Sequence, residues 1–120
     1  MNERRGRKDG KRKRQGITPP MAPKKRAMTP KEIEQLSGRI EAALDGVRQE
    51  RYRQLGIWGD QEHELFKWIA IALEELGEAA KAALEGDITA YHKELIETAA
   101  VCVAAAEDIE RKKRAMEGYQ

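Results

Sequence analysis

Residues 60–97, DQEHELFKWIAIALEELGEAAKAALEGDITAYHKELIE, decide the fold of this chain. Apolar residues recur in this stretch at helical spacing, and Gly86-Asp87 interrupts the pattern once, which predicts two helices joined by a very short turn. Gly86 suits the end of the first of these helices, and Asp87 can cap the second. Helices joined by so short a turn pack as an antiparallel pair. The stretch therefore predicts an all-α fold.

A helix-start signal precedes this stretch at Thr29-Pro30-Lys31-Glu32. Thr29 can cap a helix, Pro30 suits its first position, and Glu32 stands where a capping box needs it. Asp60 is expected to cap the next helix, and no segment alternates as a strand would. The sequence predicts three main helices, at about residues 30–55, 60–85 and 88–117.

Charge divides the chain into two parts. Residues 1–28 hold 11 Lys and Arg against 2 Asp and Glu, a net charge of +9, whereas residues 29–120 hold 12 against 19, a net charge of −7. The basic part has almost no large apolar residue, so it cannot bury enough surface to offset the entropy of ordering. We therefore expect a disordered basic arm over residues 1–28 and one helical domain over residues 29–120.

The basic arm has three explanations. Its charge suggests binding to nucleic acid, although it lacks interleaved aromatic residues that stack on bases. A nuclear import signal has the same composition but requires a nucleus. In the third explanation Met21 or Met28 is the true start of translation, and the preceding residues are a misassigned extension.

The helical domain is small, at about 90 residues, and domains of that size often need a partner subunit. We therefore expect the helical bundle to be completed by homo-oligomerisation. The single cysteine, Cys102, excludes an internal disulfide, fits a reducing compartment and is expected to be a small buried hydrophobe. No apolar run approaches the roughly 18 residues of a membrane span. Because the N-terminus also lacks the apolar core of a signal peptide, a cytoplasmic location is expected.

Two glutamate pairs lie where the predicted helices should carry no surface charge. Glu75 and Glu78 are spaced i, i+3, as are Glu94 and Glu97, so each pair shares one helix face. On a helical wheel, Glu75 lies along the apolar stripe rather than with the solvent-facing charges. Glu97 adjoins residues 98–106, TAAVCVAAA, which contain no charge and predict a helix that is buried all round.

Carboxylates in apolar surroundings are costly unless they are paired or bound to a metal. Two facing helices would bring four carboxylates around one point. Mg²⁺ takes such oxygen ligands and keeps positions open for substrate phosphates, and Mn²⁺ is a further candidate ion. The pattern therefore suggests a metal site with phosphate chemistry. The alternative is a set of glutamates at the edge of the core, bonded to Lys93 or to an arginine.

The sequence Glu74-Glu75-Leu76-Gly77-Glu78, followed after 15 residues by Glu94-Leu95-Ile96-Glu97, resembles the EExxE…ExxD signature of the all-α nucleoside triphosphate pyrophosphohydrolases. Residues 48–111 are similar to small MazG-like proteins of bacteria and their phages, whose WG-x-Q-x-H segment corresponds here to Trp58-Gly59-Asp60-Gln61-Glu62-His63. The resemblance implies an all-α bundle that works as a dimer or tetramer. It also implies Mg²⁺-dependent cleavage of a nucleoside triphosphate to the monophosphate and pyrophosphate.

The resemblance also assigns roles to residues. The metal ligands of the family carry over to Glu75, Glu78, Glu94 and Glu97, although Glu97 stands where the family usually has Asp. The candidates for substrate binding lie in the WG segment and at the start of the second predicted helix. They are Trp58, Gln61, His63, Lys67 and Trp68.

The substrate-binding candidates have structural explanations as well. Trp58 could stack on a base or plug the end of the bundle, and Trp68 suits core packing better than base contact. His63 suits a capping or surface position better than a phosphate contact, and Lys67 lies with the solvent-facing charges on the helical wheel. Three arginines close the first predicted helix, where positive charge is favoured, and could otherwise meet phosphates. They are Arg48, Arg51 and Arg53.

Three functional hypotheses follow from the sequence. The first is an enzyme, a nucleotide pyrophosphohydrolase. The second is a helical dimer whose site has degraded, so that it binds nucleotide or nucleic acid without turnover. The third is an assembly module whose helices have no site at all.

Overall fold

A computed structural model describes residues 25–118 of the chain. These residues form four helices and no strand, which confirms the all-α prediction for this part of the chain. The helices are α1 (Pro30–Gln35), α2 (Ser37–Trp58), α3 (Leu65–Glu85) and α4 (Ile88–Glu117). None of the four is both long and apolar enough to cross a membrane.

The predicted basic arm lies outside the described residues, except for its last four, which have no regular structure. Contacts divide the chain between Ile33 and Glu34 into two compact units. The described residues of the first unit are 25–33, and those of the second are 34–118.

The helix-start signal at Thr29 forms the expected capping box. The backbone N–H of Thr29 donates to Oε1 of Glu32 at 3.0 Å, and the backbone N–H of Glu32 donates to Oγ1 of Thr29 at 3.3 Å. Hydrogen bonds from Arg26, and then from Thr29, lower the pKa of Glu32 to about 2. α1 ends at Gln35 and α2 begins at Ser37, so the helix predicted over about residues 30–55 is present but is interrupted once, by a turn at Leu36.

The connection between α2 and α3 differs from the prediction. α2 continues to Trp58, and Gly59 ends it with a φ of 72°, a left-handed conformation that favours glycine. α3 begins only at Leu65, so the prediction that Asp60 caps it was wrong. Oδ2 of Asp60 instead accepts a hydrogen bond of 2.6 Å from Arg111 of α4. This contact holds the loop in a non-helical path.

The turn between α3 and α4 forms as predicted. Gly86 ends α3 in the left-handed conformation, with a φ of 71°. Oδ1 of Asp87 accepts a hydrogen bond of 3.0 Å from the backbone N–H of Ala90, and Asp87 therefore caps α4. α4 is the central helix because both α3 and α2 pack on it, whereas the Cα atoms of α2 and α3 stay more than 8 Å apart.

The core between α3 and α4 is small and rich in alanine. Trp68 packs against Val101 and Ala104, and Ala100 is completely buried. Alanine side chains let the two helix backbones approach closely, which brings the polar groups on the same faces near one another. The core therefore positions the glutamates of both helices.

The far side of α4 is open in the single chain. Cys102, Val103 and Ala106 are exposed in the single chain, so residues 98–106 are buried on one side only, and the predicted burial of their other side would require a second subunit. The reason is that α2 and α3 both contact α4 on its other side. Cys102 is consequently an exposed free thiol rather than a buried hydrophobe.

Candidate metal centre

Three glutamates from α3 and α4 meet at one point. Glu75 of α3 and Glu94 and Glu97 of α4 each offer a carboxylate oxygen, and these three oxygens lie within 4.8 Å of one another. The i, i+3 spacing places Glu94 and Glu97 on the face of α4 that meets α3. Glu75 shares the face of α3 that buries Trp68 and Ala79 against α4. The fold thus brings together three of the four predicted ligands.

Glu78, the fourth predicted ligand, does not join this cluster. Its side chain is exposed, because Glu75 lies within the buried stripe of Trp68 and Ala79, whereas Glu78 lies on the flank of that stripe beside the solvent-facing charges of α3. Its charge is still near enough to contribute to raising the pKa of Glu94. Glu78 therefore adds negative potential at the edge of the site.

The three carboxylates repel one another in a partly buried setting. Burial raises the pKa of Glu75 to about 7, with further contributions from Glu97 and Glu94. Burial is also the main cause that raises the pKa of Glu94. Oε2 of Glu94 is buried and has no hydrogen-bond partner, which is a costly arrangement. These residues fit a divalent cation, which would offset the repulsion and satisfy the orphaned oxygen.

Two basic side chains approach the cluster at Glu97. Nη2 of Arg53 lies 3.8 Å and Nζ of Lys93 lies 3.9 Å from Oε1 of Glu97. Both distances are too long for a hydrogen bond, so these cations offset only part of the charge. The alternative prediction was that the glutamates bond to Lys93 or to an arginine. The structure shows this only at Glu97, as two ion pairs without a hydrogen bond.

Arg53 is held in place by Glu50, one turn earlier on α2. Two hydrogen bonds of 2.7 Å join their side chains, and these bonds are the main cause that lowers the pKa of Glu50. Arg48 and Arg51, the other two arginines considered as phosphate contacts, face elsewhere. Arg51 is buried and bonds Glu107 at 2.6 Å, which anchors α2 on α4, and Arg48 pairs with the exposed Asp45.

An open cleft of about 260 Å³ lies beside the carboxylates. It lies between α2 and α3, which both pack on α4 while their own Cα atoms stay more than 8 Å apart. Glu75 and Glu97 are among its charged lining residues, and Trp58 and Ile71 add apolar surface. The complete lining is Glu50, Arg53, Gln54, Trp58, Gln61, Ile71, Glu75, Glu97 and Val101. Its volume is near the lower end of the roughly 300–1,000 Å³ typical of ligand pockets.

Two of the five substrate-binding candidates line this cleft. The Trp58 side chain is 58% exposed at the end of α2, and Gln61 lies in the loop that follows. An exposed indole beside a cleft offers a face for stacking, and an amide can both donate and accept a hydrogen bond.

The other three candidates lie outside the lining of the cleft. Trp68 is buried in the core, as its structural explanation requires, and borders only a smaller hollow next to the cleft. His63 packs edge-on against Trp68 with ring centroids 4.7 Å apart, and its Nε2 lies 3.1 Å from Oε1 of Gln61. Lys67 is exposed on α3.

Sequence reasoning missed a set of charged residues near the end of α4. Asp108, Arg111 and Lys112 hold the loop between α2 and α3, and Asp108 is buried although it is charged. A signal was present, because Asp108 continues the apolar stripe of Val101 and Ala104 at helical spacing. The same argument had identified Glu75. No comparable signal marked the cleft residues of α2, because the cleft depends on how α2 lies across α4. These residues are Glu50, Arg53 and Gln54.

No protein-family model, curated protein sequence or solved structure matches this chain. The relationship to the MazG-like proteins therefore remains an inference from the motifs in residues 48–111.

Proposed function

We propose that this protein is a nucleotide pyrophosphohydrolase of the MazG-like type. It would cleave a nucleoside or deoxynucleoside triphosphate to the monophosphate and pyrophosphate, with Mg²⁺ as cofactor. The observation that carries the proposal is the cluster of Glu75, Glu94 and Glu97, two of which, Glu75 and Glu97, line a cleft together with Trp58 and Gln61. The motif resemblance supplies the reaction class, and the cluster contains three of the four ligands that the resemblance implies.

Glu75, Glu94 and Glu97 are the residues that would hold the cation. Mg²⁺ prefers carboxylate oxygens and usually keeps several waters, so three carboxylates leave room for substrate phosphates. When bound, Mg²⁺ supplies polarisation of a phosphoryl oxygen and a lower pKa for an attacking water. Mn²⁺ has similar ligand preferences and would fit the same residues.

The residues around the cluster would orient the nucleotide. Trp58 offers an exposed ring on which a base can stack, and Gln61 offers an amide for the edge of that base. Arg53, which Glu50 already orients, presents a guanidinium that can bind phosphate oxygens beside the carboxylates. In this arrangement the base lies toward the loop and the phosphates lie toward Glu75 and Glu97.

The test is release of pyrophosphate from a panel of nucleoside and deoxynucleoside triphosphates, with and without Mg²⁺. The wild-type chain should release pyrophosphate only with the metal, and Glu75→Gln should not. Glu74→Gln is the matched control, because Glu74 is the adjacent residue and is exposed. The proposal fails if no nucleotide in the panel yields pyrophosphate, or if Glu75→Gln is as active as Glu74→Gln.

A second candidate function is nucleotide binding without turnover. Two observations favour it: Glu78 lies outside the carboxylate cluster, and Glu97 replaces the usual Asp and faces two cations. In this case titration calorimetry would detect a bound nucleotide while no pyrophosphate is released. Both readings have the same cleft, so the two measurements together separate them.

We also propose that the chain works as a homodimer or homotetramer in the cytoplasm, where nucleotide pools are held. The basic residues 1–28 would add affinity for nucleic acid through their net charge of +9. Removing them should leave pyrophosphate release unchanged and should abolish any salt-dependent binding to DNA or RNA. Loss of catalysis on this deletion would instead make the arm part of the site.

A further inference from the structure

α3 is apolar on two sides. One side, which includes Trp68, Ala79 and Ala82, is buried against the rest of the unit. The opposite side is exposed along the whole helix and contains no charged residue, and we name it the outer face of α3. Its residues are Phe66, Ile69, Ala70, Leu73, Leu76, Gly77, Ala80, Ala83 and Leu84.

The large side chains of the outer face are unusually open to water. Phe66 is 81% exposed, Leu73 is 61% exposed and Leu84 is 90% exposed. From Phe66 to Leu84 the face extends for about 27 Å at the rise of an α-helix. A helix that is apolar all round is normally buried all round, and continuous exposed apolar patches mark interaction surfaces. The outer face is thus suited to contact with another molecule.

The two ends of this face complement each other. Phe66 is its most exposed aromatic residue and stands near the start of α3. Near the end of α3 lies a shallow apolar hollow of about 410 Å³, whose lining includes Ala83, Ile88 and Tyr91. A two-fold axis across the middle of the face would pair two copies antiparallel. Each Phe66 would then lie opposite Leu84 of the other copy, whose neighbour Ala83 lines the hollow.

The middle of the face allows a close approach in the same register. A side chain added at Gly77 would meet no atom within 4 Å, so the surface there is open. Antiparallel pairing about this region places Leu73 of one copy over Gly77 of the other. It also places Ala70 opposite Ala80, so that the bulkier side chain faces the smallest residue and small residues face each other.

The charges that flank the face favour the same orientation. Lys67 lies near the start of α3 and Glu85 lies at its end. An antiparallel pair brings Lys67 of one copy near Glu85 of the other, whereas a parallel pair brings like charges together at both ends. The antiparallel helix dipoles are also favourable.

We propose that the outer face of α3 is a docking surface for a second copy of this chain, paired antiparallel about a two-fold axis that passes midway between Leu73 and Gly77. This specifies the interface of the homodimer in the proposed function. It rests on the exposure and shape of the outer face, whereas Glu75 lies on the other side of the helix. Failure of the enzymatic proposal would therefore leave it standing.

The first test is the mass of the full chain in solution, measured by size-exclusion chromatography with light scattering. The wild type should be a dimer or a multiple of dimers, and Leu73→Glu should separate the paired copies while the helical circular dichroism persists. Leu44→Glu is the matched control, because Leu44 of α2 is 50% exposed but lies outside the face. A monomeric wild type, or dissociation by Leu44→Glu and not by Leu73→Glu, would overturn the proposal.

A milder variant covers the case in which Leu73→Glu does not fold. Phe66→Ala only shortens an exposed side chain, so the chain should fold, and its dimer dissociation constant should rise by roughly tenfold or more. Dilution series followed by light scattering would measure this constant. An unchanged constant would mean that Phe66 does not dock on the second copy.

The orientation is tested by disulfide trapping in a Cys102→Ser background, which removes the exposed native thiol. Ala70→Cys and Ala80→Cys chains are prepared separately and then mixed under oxidising conditions. Antiparallel pairing should give a cross-linked dimer in the mixture and none in either chain alone. Cross-linking of Ala70→Cys with itself, or no cross-link in the mixture, would contradict the proposed register.

Discussion

The indole Nε1 of Trp68 donates a hydrogen bond of 2.7 Å to Oδ2 of Asp108, which is 1% exposed. The same oxygen accepts a hydrogen bond of 3.0 Å from the backbone N–H of His63 and lies 3.1 Å from Nζ of Lys112. The bond from His63, followed by that from Trp68, holds the pKa of Asp108 well below its usual range. One carboxylate of α4 thus fixes α3 and the loop that carries Gln61 to the cleft.

Asp108→Asn should lower the melting temperature by roughly 5 °C or more, because it replaces a charged acceptor of several bonds with a neutral amide. Thermal unfolding followed by circular dichroism measures the change. Asp45→Asn is the control, since that carboxylate is 57% exposed beside Arg48 and its loss should shift the melting temperature by about 1 °C at most. Equal melting temperatures for the two variants would show that Asp108 does not stabilise the fold.

Glu75→Gln should abolish Mg²⁺ binding and leave the helical signal intact, because it removes a ligand charge while keeping the shape. Isothermal titration with MgCl₂ measures the binding. Glu78→Gln should cause a smaller loss, since Glu78 is exposed and outside the cluster, and Glu74→Gln should cause none. If Mg²⁺ binds the Glu75→Gln chain with unchanged affinity, the three-carboxylate site is wrong.

The affinity for Mg²⁺ should increase with pH through about pH 7. Glu75 has a pKa raised to about 7, so below that pH a proton competes with the metal for the carboxylate. With one proton displaced, affinity should fall by about tenfold for each pH unit below the pKa. Titrations at about pH 6 and about pH 8 give the comparison. A flat profile would indicate that Glu75 is not the proton-linked ligand.

The stability of the metal-free protein should change with pH in the opposite sense. A carboxyl group whose pKa is raised on folding stabilises the folded state below its ordinary pKa of 4.5, and this contribution is lost as the pH rises through about 7. Added Mg²⁺ should restore the melting temperature above that pH. Glu75→Gln removes this titrating group and should reduce the pH dependence to the contribution of Glu94, whose pKa burial also raises.

Glu97→Asp should lower turnover by roughly tenfold or more if Glu97 is a ligand in an adapted site, because the shorter side chain withdraws its carboxylate by about 1.5 Å. Initial rates of pyrophosphate release measure the effect. A higher rate in Glu97→Asp would support the degraded-site alternative, in which Asp restores the family pattern. An unchanged rate would show that Glu97 does not bind the metal.

Ala100→Glu should impair folding, because Ala100 is completely buried between the helices and a glutamate there has neither room nor a partner. Ala106→Glu places the same side chain two turns along the same helix at an exposed position and should fold normally. Chemical unfolding of both variants tests this contrast. A stable Ala100→Glu chain would contradict the packing of α4 in the core.

The sequence by itself determined the helices and the faces that carry the site. Hydrophobic periodicity and the Gly86-Asp87 turn depend on neighbouring residues only, so the positions of α3 and α4 followed from them. The i, i+3 spacing likewise put Glu94 and Glu97 on one face, and a charge in an apolar stripe singled out Glu75. Such local signals hold whatever the tertiary structure is.

Only the tertiary structure decided which side chains share the cleft. The position of α2 across α4 brings Glu50 and Arg53 beside Glu97, although more than 40 residues separate them in sequence. Packing also decided that Glu78 points to solvent and that Asp60 bonds Arg111 instead of capping α3. These outcomes depend on distances between helices, which no pattern within a single helix contains. For the same reason, only the tertiary structure showed which apolar side of α3 is buried against α4 and which side, the outer face, stays exposed.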